Sequence, residues 1–310
     1  MSHYLIKRFL HSIIIIIGIS VAVFFVSRLT GDPVSLMVDF TATREDRAAI
    51  RHDLGLDKPM AVQYLIFLKG AVKGDFGDSI RYGEPALQLV WQRIPVTLRL
   101  VGFTMSGALL LALPIGIASA LKRNSFFDLI GMGISFLGQS IPSFWLGIML
   151  IMIVGVKFRL LPISGYGGGD ITHMILPGIT LGSFAVAAFA RITRSSMLEV
   201  LDMDYVQTAR AKGQQELKVI IGHALRNALI PIVTILGLHI AYAIGGAVIT
   251  EQIFAYPGVG WLSIQSIYNR DFPVIQAIVM AVSVGVVLIN FSVDILYTVI
   301  DPRIRYGKEN

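Results

Sequence analysis

Very few side chains in this chain are spaced for bond-making chemistry. The six histidines, His3, His11, His52, His173, His223 and His239, form no His-x-x-x-His pair or other metal-ligand spacing. Cysteine is absent, which excludes disulfides and thiolate metal sites, and no Gly-x-Ser-x-Gly nucleophile turn occurs. Gly165 to Gly169 has the glycine content of a phosphate loop, yet no Lys-Ser or Lys-Thr follows, so it reads as a flexible loop. Only Lys308 directly follows a glycine, and it lies in the tail. With no G-x-x-x-x-G-K-[ST] loop, energy from a nucleotide has to come from another chain. What remains is electrostatic and mechanical chemistry, concentrated in the polar segment from Arg191 to Arg226.

In that segment Asp204-Tyr205 leads into Thr208-Ala209-Arg210-Ala211-Lys212-Gly213, and later into Arg226-Asn227-Ala228 and Ile230-Pro231. Leu198 to Lys212 is rich in helix formers, and Gly213 is placed to stop that helix in a left-handed conformation. A second helix is predicted from Gln214 to about Ala228. Two short helices at a fixed angle make a knob that fits a groove on a soluble partner. Ala209, Ala211 and Gly213 permit close backbone approach at its corner, and Arg210 and Lys212 offer charge to an acidic rim. The alternative is an amphipathic loop on the bilayer surface, with Arg191, Arg194, Lys218 and Arg226 meeting lipid phosphates.

The elements around the segment are built for lipid. Hydrophobic residues make up 55% of the chain and charged residues 15%, against about a quarter charged in soluble domains. Six stretches lack Asp, Glu, Lys and Arg: Phe9–Ser27, Leu100–Leu121, Leu129–Val156, Met174–Ala190, Asn227–Thr250 and Phe272–Val293. Each approaches or exceeds the length of about 18 apolar residues that crosses a bilayer. The fold class expected is an all-α membrane protein with six transmembrane helices. Lys7-Arg8 before the first apolar run has the form of a signal peptide, but no small-x-small cleavage site closes the run, so it reads as a retained helix.

Orientation follows the basic residues of the short connections. An inside N-terminus puts thirteen Lys and Arg on the cytoplasmic side, while the two short outer loops hold only Lys157, Arg159 and Arg270. Both termini are therefore expected in the cytoplasm. The net charge of +6 tracks membrane sidedness, and no basic patch carries the interleaved aromatics of a nucleic-acid surface.

Along the chain, residues 1–30 hold a cytoplasmic start and the first span, and 31–97 form an extracytoplasmic segment. Residues 98–297 form a five-helix core that includes the loop 191–226, and 298–310 are a cytoplasmic tail. In the outer segment, Thr43-Arg44-Glu45-Asp46 has the look of a capping box for a helix ending near Gly55. Asp57-Lys58-Pro59 starts an amphipathic helix through Lys69. Glu84-Pro85 starts a third, with Leu87, Val90, Trp91 and Ile94 on one face. The segment is read either as a docking surface for an external partner or as a cap on the spans.

Small residues recur every fourth position as Ala108, Ala112, Gly116 and Ala120, as Gly178 and Gly182, and as Gly237, Ala241 and Gly245. Such spacing lets helices approach closely in lipid, within the chain or between subunits, with packing within the chain favoured. Pro142 sits midway along the long third stretch and is expected to kink it. Tyr256-Pro257-Gly258 suits a type II turn, and Trp261, Tyr268 and Phe272 suit the membrane interface. Tyr256, Pro257, Gly258 and Trp261 are candidates for an outer gate or a contact with a delivered binding protein. Gln139, Pro142 and His239 are the central candidates for a translocation pathway.

Asp204 to Gly213 followed by Arg226-Asn227-Ala228-x-x-Pro231 resembles the cytoplasmic loop by which permeases of ATP-binding-cassette importers grip their ATPase. The resemblance extends through Gly31-Asp32-Pro33, Leu54-Gly55-Leu56-Asp57-Lys58-Pro59 and Gly74-Asp75-Phe76-Gly77-Asp78-Ser79. It continues in Arg93-Ile94-Pro95-x-Thr97-Leu98, Ile253-Phe254-x-Tyr256-Pro257-Gly258-Val259-Gly260, Arg270-Asp271-Phe272-Pro273 and Asp301-Pro302-Arg303. These motifs are similar to those of the dipeptide, oligopeptide, glutathione and nickel permease group. Where that group usually carries Glu, this chain has Gln207.

The resemblance implies a type I importer permease in a bacterial cytoplasmic (inner) membrane, paired as a heterodimer with a second, homologous permease. It also implies two ATPase subunits, which hold ATP and Mg, and an extracytoplasmic binding protein that delivers the cargo. No cofactor, metal or catalytic residue is expected in this chain. An ion-coupled carrier is the competing reading. Such carriers place carboxylates near the midplane, whereas here the spans lack one and Asp294 lies near an inner end, where it could meet Arg303 or water.

Overall fold

The computed structural model describes residues 2–29, 34, 43–53 and 55–300. Among them every regular element is a helix; one isolated bridge joins Asp78 and Pro85. The helices are α1 (Ser2–Leu29), α2 (Arg44–Asp53), α3 (Met60–Lys73), α4 (Ala86–Leu121), α5 (Phe126–Ser140) and α6 (Ser143–Leu150). They continue as α7 (Thr172–Leu201), α8 (Asp204–Ala211), α9 (Glu216–Lys218), α10 (Arg226–Ile253), α11 (Val259–Tyr268) and α12 (Phe272–Ile300). Wider π-type turns extend α6 over Ile151–Lys157 and join α9 to α10 over Val219–Leu225. Gly31-Asp32-Pro33, Leu54, the residues 301–310 and the suggested meeting of Asp294 with Arg303 lie outside what is described.

Five helices are long and apolar enough to cross a membrane: Lys7–Arg28, Ala86–Leu121, Thr172–Leu201, Glu216–Ile253 and Phe272–Val293. The remaining apolar stretch forms a bent pair of helices, a broken span or a re-entrant loop. Phe126–Ser140 and Ser143–Lys157 meet at 101°, so Pro142 ends one helix and starts another where a kink was expected. Ile141 is extended (φ −82°, ψ 125°), as the residue before a proline prefers, and Pro142 sits at the N-cap of α6.

Two further boundaries differ from the sequence reading. The helix predicted to begin at Glu84-Pro85 is not separate, because α4 runs unbroken through Pro95. Its buried face is Ala86, Leu89 and Val90, while Trp91 is 61% exposed. The second helix of the polar loop is likewise continuous with the following span, from Glu216 to Ile253. Within these spans Pro177 and Pro231 are carried inside α7 and α10.

The chain divides into two units, Met1–Thr97 with Pro257–Phe291, and Leu98–Tyr256 with Ser292–Asn310. In the first, Ala86, Leu89 and Val90 pack with Val259, Leu262, Val274, Ala277 and Ile278. A polar clasp accompanies that core: buried Asp271 accepts hydrogen bonds from the Ser79 hydroxyl (2.5 Å) and the Ile80 N–H (3.2 Å). Thr97 Oγ1 accepts from the Val259 N–H at 2.8 Å, which anchors the start of α11. Of the residues expected at the membrane interface, Phe272 is 7% exposed and Tyr268 79%.

In the second unit Ala108 and Ala112 of α4 pack with Ala185, Phe189 and Ala190 of α7. A Cβ on Gly116 would lie 2.7 Å from the Ala190 carbonyl oxygen and 2.5 Å from the Thr193 Cβ. A Cβ on Gly178 would lie 2.9 Å from the Phe103 ring, and one on Gly182 3.0 Å from the Thr104 methyl group. The small residues of α4 and α7 thus pack against each other within this chain. In α10 the pattern holds only in part, since Gly237 abuts Val293 while Gly245 faces open space.

Replacing Gly116 with Leu should destabilise the second unit by about 1–3 kcal/mol through overpacking, seen as a lower Tm of the detergent-purified protein. Gly18, with nothing within 4 Å, should tolerate the same change. Equal melting of the two variants would mean that the α4–α7 contact is not close.

Candidate functional site

The polar loop folds back on the spans that carry it. α7 stops at Leu201, and Met203 is extended (φ −74°, ψ 144°), which starts α8 in a new direction. That break has no glycine or proline to announce it and was not foreseen. α8 ends as predicted, at Gly213 with φ +72°. The Gly213 N–H donates to the Arg210 carbonyl at 2.9 Å and the Gln214 N–H to the Ala209 carbonyl at 3.4 Å. These are the two bonds of a Schellman stop.

Beneath the corner lies a closed apolar core. Met197, Val206, Val219, Ala224 and Ala228 are fully buried, joined by Leu201, Ala209 and Ala120. Burial of a side chain such as Val206 or Met197 contributes about 1.5–3 kcal/mol, so the knob is held rigidly to α4, α7 and α10. Ala209, read as part of the corner's approach surface, is 6% exposed and faces inward.

Polar contacts set the remaining geometry. Arg210 donates two hydrogen bonds to Glu216, at 2.6 and 3.2 Å, and these hold its guanidinium above its ordinary pKa. Its charge is therefore shared within the loop, and Lys212 is the exposed cation at the corner. Asn227 Nδ2 donates to the Tyr205 hydroxyl at 2.9 Å and to the His223 carbonyl at 3.0 Å. That contact joins the two ends of the motif across 22 residues. Thr208 caps back on the Asp204 carbonyl at 2.8 Å. Gln207 Nε2 donates to the Leu201 carbonyl at 3.2 Å, a role that a carboxylate cannot fill. Asp204, Tyr205, Thr208, Ala211, Lys212, Gly213, Arg226 and Asn227 are exposed and form the outer surface of the knob.

Arg194 does not face lipid phosphates. It forms a two-pronged ion pair with Asp128 at 2.6 and 2.7 Å, and Asp128 also accepts from the Asn124 N–H at 3.0 Å. The spacing of Ser125 and Asp128, that of a capping box, was the available signal; Ser125 does cap α5. Arg191 reaches Gln139 Oε1 at 3.1 Å, so Gln139 also belongs to the tie between α5 and α7.

The three pathway candidates separate accordingly. His239 lines a cavity of about 240 Å³ with Ile141, Ser143, Thr180, Phe184 and Tyr242, which places the bent helix pair beside it. Its ring lies 5.0 Å from Phe189 and 5.8 Å from Phe184. Pro142 adjoins this cavity by sequence, while Gln139 is not among its lining residues.

At the far end, no type II turn forms, since Gly258 has φ −93° and serves as N-cap of α11. The left-handed residue there is Ala255, at φ +47°. Tyr256 is fully buried with its ring 5.4 Å from Tyr166, and burial pushes its phenol up to about 12. Pro257 accepts a hydrogen bond from Arg93 at 3.2 Å, and Trp261 is half-buried on α11.

Helices long and apolar enough to cross a membrane, with a polar knob set between two of them, define an all-α membrane protein. Comparison with known proteins makes the class specific. The model described as "Binding-protein-dependent transport system inner membrane component" matches residues 112–306, and that for the N-terminal part of such membrane components matches residues 1–101. The chain belongs to this family of inner-membrane components.

Similar proteins include the oligopeptide transport system permease protein AppB of Bacillus subtilis, 42% identical over 99% of this chain and 100% of its own length. The dipeptide transport system permease protein DppB of Escherichia coli is 41% identical over 94% of this chain and 95% of its own length. The glutathione transport system permease protein GsiC of Salmonella choleraesuis is 41% identical over 99% and 100%. Among solved structures, the inward-facing methionine ABC transporter MetNI matches with a TM-score of 0.59 at 18% identity, over 69% of this chain and 97% of that one. An amino acid ABC transporter matches with 0.54 at 16%, over 68% and 94%. These two likenesses concern the fold, that of type I importer permeases.

Exchanging Asp128 for Asn should lower the stability of the purified protein by about 1–3 kcal/mol. The loss falls short of that for a fully buried pair because the Arg194 side chain is 25% exposed. Reversing the pair, Asp128→Arg with Arg194→Asp, should recover part of the loss in Tm. An unchanged Tm in Asp128→Asn would show that the tie carries no stability.

Proposed function

We propose that this chain is one of two different permease subunits of an ATP-driven importer of di- and oligopeptides. Its N-terminus and the polar loop face the cytoplasm, where the loop meets one of two ATPase subunits that bind ATP and Mg. An extracytoplasmic binding protein delivers the peptide, and the second permease completes the pathway. The observation that carries the reading is the rigid corner at Gly213. A stop of fixed geometry, set on a core shared with α4, α7 and α10, passes a displacement of the loop to three spans instead of dissipating it. The full-length similarity to permeases named for oligopeptides and dipeptides supports the cargo class, and the glutathione relative supports a modified tripeptide as the second reading.

On this reading Asp204, Tyr205, Thr208, Ala211, Lys212 and Gly213 touch the ATPase, while Arg226 and Asn227 brace the loop's return. Nucleotide-driven closure of the ATPases shifts the corner and biases the spans between two states. The cavity beside His239, where the bent helix pair supplies Ser143, lies on the path of the cargo. Tyr256, held in the interior, acts in closing the outer mouth.

Vesicles bearing the assembled transporter should accumulate a labelled dipeptide only with ATP and binding protein present. Uptake that persists without ATP and collapses with the proton gradient would identify an ion-coupled carrier instead. Gly213→Ile should place a β-branched residue at positive φ, costing about 1–2 kcal/mol locally. It should cut uptake per ATP hydrolysed while membrane insertion stays normal; unchanged coupling would remove the corner from the mechanism.

A further inference from the structure

Helix α3 has two faces, both apolar. On one, Tyr64 and Phe67 pack on α1: the Phe24 ring lies 5.5 Å from Tyr64 and 5.7 Å from Phe67. The Tyr64 hydroxyl also shares a hydrogen bond of 2.9 Å with the buried Ser20 hydroxyl. The opposite face presents Val62 (40% exposed), Leu65 (61%), Ile66 (48%) and Val72 (82%). These positions, spaced by three, one and six residues, fall on one stripe of a helix. Lys69 and Lys73, in the last two turns, are the charges on this stripe, and its first two turns carry none. A helix capping the spans in water would turn polar side chains outward, and a contiguous apolar stripe of this kind marks contact with something other than water.

Depth identifies what covers it. Ser20 precedes Arg28, the end of the first span, by eight residues, or about 12 Å along a helix axis. One leaflet's share of the hydrocarbon core is about 15 Å, so the Ser20–Tyr64 bond lies within the apolar layer. Ser20 donates to the Ile17 carbonyl at 2.7 Å, so its oxygen accepts from the Tyr64 hydroxyl, which thereby finds the internal partner that it needs away from water. α3 has 14 residues and is about 21 Å long, too short to span the bilayer. It ends in a Schellman stop, with Gly74 at φ +78°, and its lysines, Lys69 and Lys73, extend charge toward the headgroups on long stems.

We infer that α3 is embedded in the leaflet at the Arg28 end of α1, the outer one in the proposed orientation, with its free face covered by lipid acyl chains. It braces α1 from within the membrane and presents no docking surface to a soluble partner. The inference rests on the membrane location of the chain and is independent of its cargo.

The chain has no cysteine, so Leu65→Cys, Ile66→Cys and Val72→Cys can be made singly, with Lys58→Cys as the aqueous reference. Each variant, in the assembled transporter in phosphatidylethanolamine–phosphatidylglycerol vesicles and retaining uptake, is labelled with bimane or challenged with an impermeant maleimide. Bimane at Leu65 and Ile66 should be quenched by nitroxide on the acyl chains. Those thiols should react with maleimide at least about tenfold more slowly than the reference, since the thiolate needs water. Fast labelling without lipid quenching would put α3 in water and overturn the inference. Slow labelling without lipid quenching would assign the face to the partner permease, and protection that appears only with added binding protein would make it a docking surface; either result also overturns it.

Discussion

Inside lipid, a backbone N–H or C=O has no water to turn to, and that requirement shapes the spans and the way each is interrupted. It restricts the regular structure to helices, and it makes each interruption of a helix a problem that neighbouring groups must solve. At Pro142 the break falls where proline has no N–H to satisfy, and the Ile141 N–H still finds the Leu137 carbonyl at 3.2 Å. At Gly213, and again at Gly74, two bonds of a Schellman stop close the carbonyls of the last turn. The π turns that extend α6 and lead into α10 change direction without abandoning the ladder. At each of these breaks a bond partner is built in.

The same solvent gives no hydrophobic drive between helices, so close contact and polar ties do the joining. Between α4 and α7 the contact is of small residues, close enough at Gly116 that no side chain fits. Between α5 and α7 it is polar, with Asp128 to Arg194 and Gln139 to Arg191. The knob differs in kind. It has a closed core of its own, with Met197, Val206 and Val219 fully buried. The bundle and the knob share α7 and α10, and under the proposed function that sharing is what would pass motion from one to the other.

Much of the fold was legible in the residues. The apolar stretches located the spans because one charge at a span's centre costs about 2.5–3.5 kcal/mol on insertion scales. The stop at Gly213 was legible because only glycine takes that conformation without strain. The break at Asp202-Met203 was not, since both residues are compatible with a continued helix and the reversal is imposed by the core beneath. The type II turn expected at Pro257-Gly258 failed for a related reason. Arg93 and Thr97 fix the carbonyl of Pro257 and the N–H of Val259, and these contacts override the local preference of the pair.

By composition and spacing alone, the chain settled its solvent, its helical class and the place of the polar segment between two spans, because those properties reside in single side chains and their periods. Which polar residues meet was decided by tertiary structure. Arg210 turned to Glu216, Arg194 to Asp128, and Tyr205 to Asn227 across the loop, because a charge or amide takes the partner that packing brings within reach. Whether an apolar face such as that of α3 is core, interface or lipid surface also waited for the fold, since hydrophobicity names what a side chain avoids and not what it touches.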